Sequence, residues 1–184
     1  MARVVHPIVE PGEFEALQNN AGWSMDVELI RGEGVLVPPL GGPASSAQGE
    51  LHVALRRWQE DTADAGLILQ DVFVAFPDGS RLAPDISWWC AERRPPKSRG
   101  AMQSIPDLIV EVLSPSTREN DLGVKREVYM NSGVRELWFV DPDVLTITRA
   151  LPDGSSDEML SKSATLESEL LDGFAFVVAD AFKF

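Results

Sequence analysis

One cysteine, Cys90, stands alone among 184 residues. That excludes an internal disulfide and any zinc cluster built from several thiolates. Histidine is almost as scarce. His6 and His52 are the two imidazoles, too few for a histidine-rich metal centre. A Ser-His-Asp hydrolase would have to draw on His52, and nothing in the pattern sets a nucleophilic serine beside it. Any metal must therefore be held by oxygen, which favours hard cations such as magnesium or manganese. No apolar run approaches the roughly 20 residues that cross a bilayer, so no membrane contact is expected. The first ten residues hold no long apolar stretch after Arg3, so no secretory signal is expected and the cytoplasm is the expected location. Positive charge is the last shortage: 16 Lys and Arg face 29 Asp and Glu, a formal charge of −13. Phosphate backbones are bound by neutralising Lys and Arg, so the chain as a whole is poorly suited to them.

The charge is unevenly spread. Ala91 to Gly100 reads AERRPPKSRG, setting Arg93, Arg94, Lys97 and Arg99 against Glu92. This segment is either a solvated loop or a nucleic-acid contact, and those four residues are the candidates for the second role. From Asp141 to Asp172 acids dominate, opposed by Arg149 and Lys162.

With 44% hydrophobic residues the chain can bury a core, and its length suits one domain. We expect a single domain over 1–184, with 1–26 as an N-terminal extension and 27–184 as the core. Pro11 to Asn20 reads as a short helix before Gly22. Val27 to Pro39 reads as two strands around Arg31-Gly32-Glu33-Gly34. A helix follows from Ser45 or Ser46 to about Asp61, with an apolar stripe of Leu51, Leu55 and Trp58. Leu67 to Phe76, Arg81 to Cys90 and Pro106 to Leu113 read as strands. A helix from about Arg118 to Ser132 closes at Gly133. Arg135 to Val140, Val144 to Ala150 and Glu158 to Lys162 are the last strands, and the apolar tail from Phe174 is expected to pack on the body. This order predicts a mixed α/β sheet rather than a regular βαβ series.

The informative residues are charges inside apolar patterns. Glu111 sits in the middle of Leu108-Ile109-Val110-Glu111-Val112-Leu113 and shares a strand face with Ile109 and Leu113. A carboxylate there is costly unless it is paired or bound to metal. Asp85, in Ala83-Pro84-Asp85-Ile86-Ser87-Trp88-Trp89, repeats the pattern, although a strand-end acid capping a turn reads equally well. On the following helix, 100° per residue places Asp121 and Lys125 in the apolar arc with Leu122, Val124, Val128 and Tyr129. Lys125 needs an anionic partner there. An i, i+4 pair with Asp121 and a snorkelling stem are the alternatives to a role in a site. Glu50 borders Leu51 and Ala54 and points either to the sheet or to solvent. Carboxylates plus an inward lysine fit magnesium-assisted phosphodiester hydrolysis. A glycosidase also uses paired carboxylates but needs no such lysine.

Several blocks then resemble a known family. Ala83 through Trp88, Pro106 through Ser116, Lys125 through Tyr129, and Gly133 through Pro142 are similar to the Uma-two family, as are Pro38-Pro39, Gly41-Gly42 and the helix bearing Glu50. Its members are regarded as endonucleases of the PD-(D/E)XK superfamily, common in cyanobacteria and other bacteria. The resemblance implies a restriction-endonuclease-like mixed β-sheet flanked by helices, here with an N-terminal helix and hairpin extension. It implies Asp85 as the strand aspartate and Glu111 as the acid of acid-x-lysine. Leu113 stands where that lysine is expected, so the lysine would have moved to the next helix as Lys125. Glu50 would be the extra helical acid, and the Val112 carbonyl a further metal ligand beside Asp85 and Glu111. A magnesium or manganese cofactor, DNA as substrate and a homodimer are implied with them. Two rival readings remain: a non-catalytic domain acting through protein contacts, and a hydrolase of small phosphodiesters.

Overall fold

The structure is a computed structural model, and it describes residues 5–6, 26–63, 65–152 and 156–183. The helix expected at Pro11 to Asn20 lies outside the described residues. Strand β1 (Val5–His6) pairs with β3 (Glu33–Val37), which forms a hairpin with β2 (Asp26–Ile30). The hairpin turns at Arg31 and Gly32, both at positive φ (49° and 87°), as a tight two-residue connection requires. Helix α1 (Gly42–Asp61) follows. It starts before the serines expected to cap it, because Pro43 presets the first helical turn, and no side chain caps its N-terminus.

The next two expected strands are each broken. Leu67 to Phe76 splits at Asp71, whose φ is 50°, into β4 (Leu67–Gln70) and β5 (Val74–Ala75). Arg81 to Cys90 splits at Ala83-Pro84-Asp85 into β6 (Arg81–Leu82) and β7 (Ile86–Trp89). Proline has no N–H to offer a ladder. Each break sends the two halves to different sheets: β1-β3-β2-β6-β5 form one, and β4 and β7 join the other. The remaining strands are β8 (Leu108–Val112), β9 (Glu136–Asp141), β10 (Thr146–Ala150), β11 (Glu158–Leu160), β12 (Thr165–Glu167) and β13 (Ala175–Val177). The larger sheet runs β11-β10-β9-β8-β7-β4, with β8 and β9 its parallel pair, and β12 with β13 forms a ribbon not foreseen in the sequence.

A core lies on each face of the larger sheet, and strand alternation assigns the residues. Leu108, Val110 and Val112 of β8 face Leu51 and Leu55 of α1 and the tail residues Phe174, Phe176 and Val178. The tail packs on the body as expected. Ile109 and Leu113 face the other way, onto Val128 and Tyr129 and onto Ile30, Val74 and Leu82 of the smaller sheet. Glu111 lies between them on that second face.

The helix that covers the second face, α2, is composite: Arg118–Asn120, a π-type turn Asp121–Lys125, and Arg126–Asn131. Gly123 leaves helical geometry at φ −102°, ψ −105°. Leu122, inside the apolar arc of a regular wheel, is consequently 41% exposed. Asp121 and Lys125 remain buried, as the wheel predicts. Among the described residues no helix is long and apolar enough to cross a membrane.

Candidate active site

Strands β7 and β8 run antiparallel with Ile86 opposite Val110. Stepping one residue back along β7 and one forward along β8 sets Asp85 beside Glu111. The break at Pro84 ends the ladder there, so the Val112 N–H is taken by a side chain: Asp85 Oδ2 accepts it at 2.5 Å. Glu111 Oε1 accepts from the Tyr129 hydroxyl and lies 2.8 Å from Lys125 Nζ. The same ammonium lies 3.2 Å from Asp121 Oδ1 and 3.2 Å from Glu28 Oε1. Glu28 Oε1 also accepts the Ala83 N–H at 2.9 Å.

Glu28, Asp71, Asp85, Glu111 and Asp121 thus line one cavity of about 100 Å³ with Lys125 as its ammonium. Negative charge is in excess. Burial pushes the Asp85 carboxyl up to about 7, although the Val112 N–H and Lys125 pull the other way. Burial likewise raises Glu111 and Glu28 above the usual carboxylate range, against the pull of Lys125. Lys125 is the opposite case. Burial works against its charge, but Glu111 and Glu28 outweigh that and hold it well above an ordinary lysine. The ammonium is therefore permanent, and the carboxylates compete for it.

Four of the sequence-derived candidates, Asp85, Glu111, Val112 and Lys125, meet at this cavity. Glu50 does not. It is exposed and lines a separate groove with Arg57, Asp172 and Lys183. The inward stripe of α1 is Ala44, Ala47, Gln48, Leu51 and Leu55, and Glu50 stands about 100° from Leu51, outside it. Gln48 occupies the inner position: its Nε2 donates to Asp71 Oδ1 at 2.9 Å and to the Asp85 carbonyl at 3.0 Å.

The basic segment is also displaced from the site. It follows the far end of β7, whereas Asp85 precedes the near end, a strand length of about 13 Å away. Arg93 is engaged by Asp107 Oδ1 at 2.9 Å and the Gly133 carbonyl at 3.3 Å, and Arg94 by the Gly66 carbonyl at 2.8 Å. Lys97 and Arg99 are exposed. Nearer the cavity, Arg118 is held by Asp141 at 2.5 and 2.7 Å.

Glu28 is what the sequence pattern missed. Alternation along Asp26 to Ile30 groups Glu28 with Asp26 and Ile30, a face with two acids that reads as largely solvent. In the fold Val27 to Ile30 are buried whichever side they face, and Glu28 is 3% exposed. The usable signal was an acid flanked by Val27 and Leu29, the same one that singled out Glu111.

Among the described residues no three His, Cys, Asp or Glu side chains gather into a ready metal cage. The donors at hand are two adjacent carboxylates with a neighbouring main-chain carbonyl. That set suits magnesium, which is commonly held by one or two carboxylates and keeps several waters. The surplus of buried negative charge suits it too.

Compared with known proteins, no curated protein matches the chain. Among solved structures it is similar to a crystal structure described as "a putative nuclease belonging to DUF820" from Anabaena variabilis. The TM-score is 0.74 at 21% identity, over 85% of this chain and 89% of that one. At that identity the likeness establishes the fold, the restriction-endonuclease-like α/β architecture expected from the sequence. Residues 11–179 match the family model Uma2, described as "Putative restriction endonuclease". With nearly its whole length matched, this chain belongs to the Uma2 family.

Proposed function

We propose that the protein is a magnesium- or manganese-dependent nuclease that hydrolyses phosphodiester bonds in DNA, with Asp85, Glu111 and Lys125 as its working residues. One observation carries the reading: Asp85 and Glu111 stand side by side on antiparallel neighbours, with the Lys125 ammonium 2.8 Å from Glu111. Asp85, Glu111 and the Val112 carbonyl would hold the ion. When bound, such an ion polarises the scissile phosphate and lowers the pKa of an attacking water.

The chain's own residues do the rest. The Val112 N–H fixes the rotation of the Asp85 carboxylate, and the Tyr129 hydroxyl fixes that of Glu111. Lys125, permanently charged, offsets the negative charge that builds on the phosphate in the transition state. Gln48 steadies the main chain at Asp85. We propose a homodimer as the working form, because a single copy offers the site little positive surface. A second reading, hydrolysis of small phosphodiesters, is favoured by the placement of Arg93 and Arg94 at the far end of β7 and their engagement there.

The test is cleavage of single-stranded, duplex and structured DNA, and of a small nitrophenyl phosphodiester, with magnesium or manganese and with chelator. We expect DNA cleavage that chelator stops and that Asp85→Asn or Glu111→Gln removes. Turnover of the small diester alone selects the second reading. Cleavage indifferent to chelator and to both substitutions defeats the assignment, and sedimentation at working concentration tests the dimer.

A further inference from the structure

We propose that Glu28 is a positioning residue of this site: with Asp121 it takes over the charge of Lys125 when Glu111 engages a divalent ion. The inference rests on the metal-dependent reading above. Glu111 faces two incompatible demands. Its Oε1 is in contact with the Lys125 ammonium at 2.8 Å, yet the same carboxylate is asked to hold a cation. Two positive centres a few ångström apart in a buried cavity repel strongly. The lysine must yield, and its flexible four-carbon stem lets the ammonium swing.

Two acceptors stand ready for it, Glu28 Oε1 and Asp121 Oδ1, each at 3.2 Å. They differ in what they fix. Asp121 is four residues earlier on the same helix, so it moves with Lys125. Glu28 comes from β2 of the other sheet and supplies a reference outside the helix. It also accepts the N–H of Ala83, two residues before Asp85. One buried carboxylate therefore ties the lysine to the segment that carries the site's aspartate, and a hydrogen-bonding role alone would not require its charge. Glutamine offers the same Oε1 acceptor to both donors without that charge.

Manganese titration calorimetry on the parent, Glu28→Gln, Lys125→Met and the double variant tests this, with Asp85→Asn as control. Glu28→Gln is expected to weaken manganese binding about tenfold or more, because the ammonium is then left on Glu111. In the Lys125→Met background the same substitution should change affinity less than about twofold, since Glu28 acts through the lysine. A persistent tenfold loss in that background would make Glu28 a direct partner of the ion and overturn the proposal. Unchanged affinity in Glu28→Gln overturns it as well. In both cases a loss of binding in Asp85→Asn leaves the metal-dependent reading standing, whereas parent-like binding in Asp85→Asn brings down that reading too. If Lys125→Met or Glu28→Gln does not fold, Glu28→Asp decides. It keeps the charge but withdraws it from Lys125: manganese binding weakened in the parent but not in a Lys125→Gln background supports positioning, and parent affinity, or an equal loss in both backgrounds, refutes it.

Discussion

Asp85→Asn in the metal-free protein should raise stability at alkaline pH, although it removes a residue from the proposed catalytic centre. The magnitude follows from the fold. Burial moves the Asp85 carboxyl from the usual 3.8 to about 7, and each tenfold change in proton affinity is worth about 1.4 kcal/mol. A group whose pKa is raised on folding contributes stability below its unfolded pKa and loses it as pH rises through the folded one. The parent should thus lose up to about 4 kcal/mol of unfolding free energy between pH 4 and pH 8 from this group alone. Because the side chain is only partly buried and solvent screens it, about 2 kcal/mol is the working expectation. Asparagine keeps the oxygen that accepts the Val112 N–H and carries no charge to bury. Urea denaturation with chelator present, across that pH range, should show the variant equal to the parent near pH 4 and more stable by about 2 kcal/mol at pH 8. Manganese at pH 8 should reverse the order, since only the parent gains from binding an ion in the folded state. A variant less stable than the parent at pH 8 without metal would refute the reasoning. It would make Asp85 a structural cap for the end of β8.

Lys125→Met should lower the cleavage rate about 100-fold or more. It should also cost about 3–5 kcal/mol near neutral pH by leaving buried carboxylates without a counter-ion, a loss that shrinks at acid pH as they protonate; a surface i, i+4 pair would cost only a few tenths of a kcal/mol. Chemical denaturation and single-turnover rates on one preparation separate the two. Glu50→Gln should leave both cleavage and manganese affinity at parent values, whereas Gln48→Ala, which removes the amide that donates to the Asp85 carbonyl, should slow cleavage; the reverse ranking would return Glu50 to the site. Gly66→Ala should unfold the protein or cost about 4 kcal/mol or more. Its φ is +79° and an added Cβ would sit 2.0 Å from the Trp89 carbonyl oxygen; a thermal melt within a few degrees of the parent would contradict that geometry.

Much of this was legible in the residues. The run Pro106 to Leu113 reads as a buried strand, and the acid within it, Glu111, demanded a partner. Periodicity alone turned Asp121 and Lys125 inward, and the structure buries both. The scarcity of cysteine and histidine limited any metal to oxygen donors. What sequence could not supply was everything that depends on where a strand changes sheet. The breaks at Asp71 and at Ala83-Pro84-Asp85 lie within runs that read as single strands, although Pro84 hinted at a strand end, yet they divide two strands between two sheets and free Asp85 to meet the Val112 N–H. Local pattern left Glu50 open between sheet and solvent, since one helix step separates the inward stripe from solvent, and the resemblance drew it into the site. The pattern overlooked Glu28 because alternation describes a strand with one wet face, and Val27 to Ile30 are all buried. The sequence by itself determined that Glu111, Asp121 and Lys125 face inward and need partners, since burying an ionised group is costly wherever the chain goes. Only the tertiary structure decided which carboxylates share that lysine, because that depends on contacts between elements far apart in the chain, such as Glu28 and Lys125.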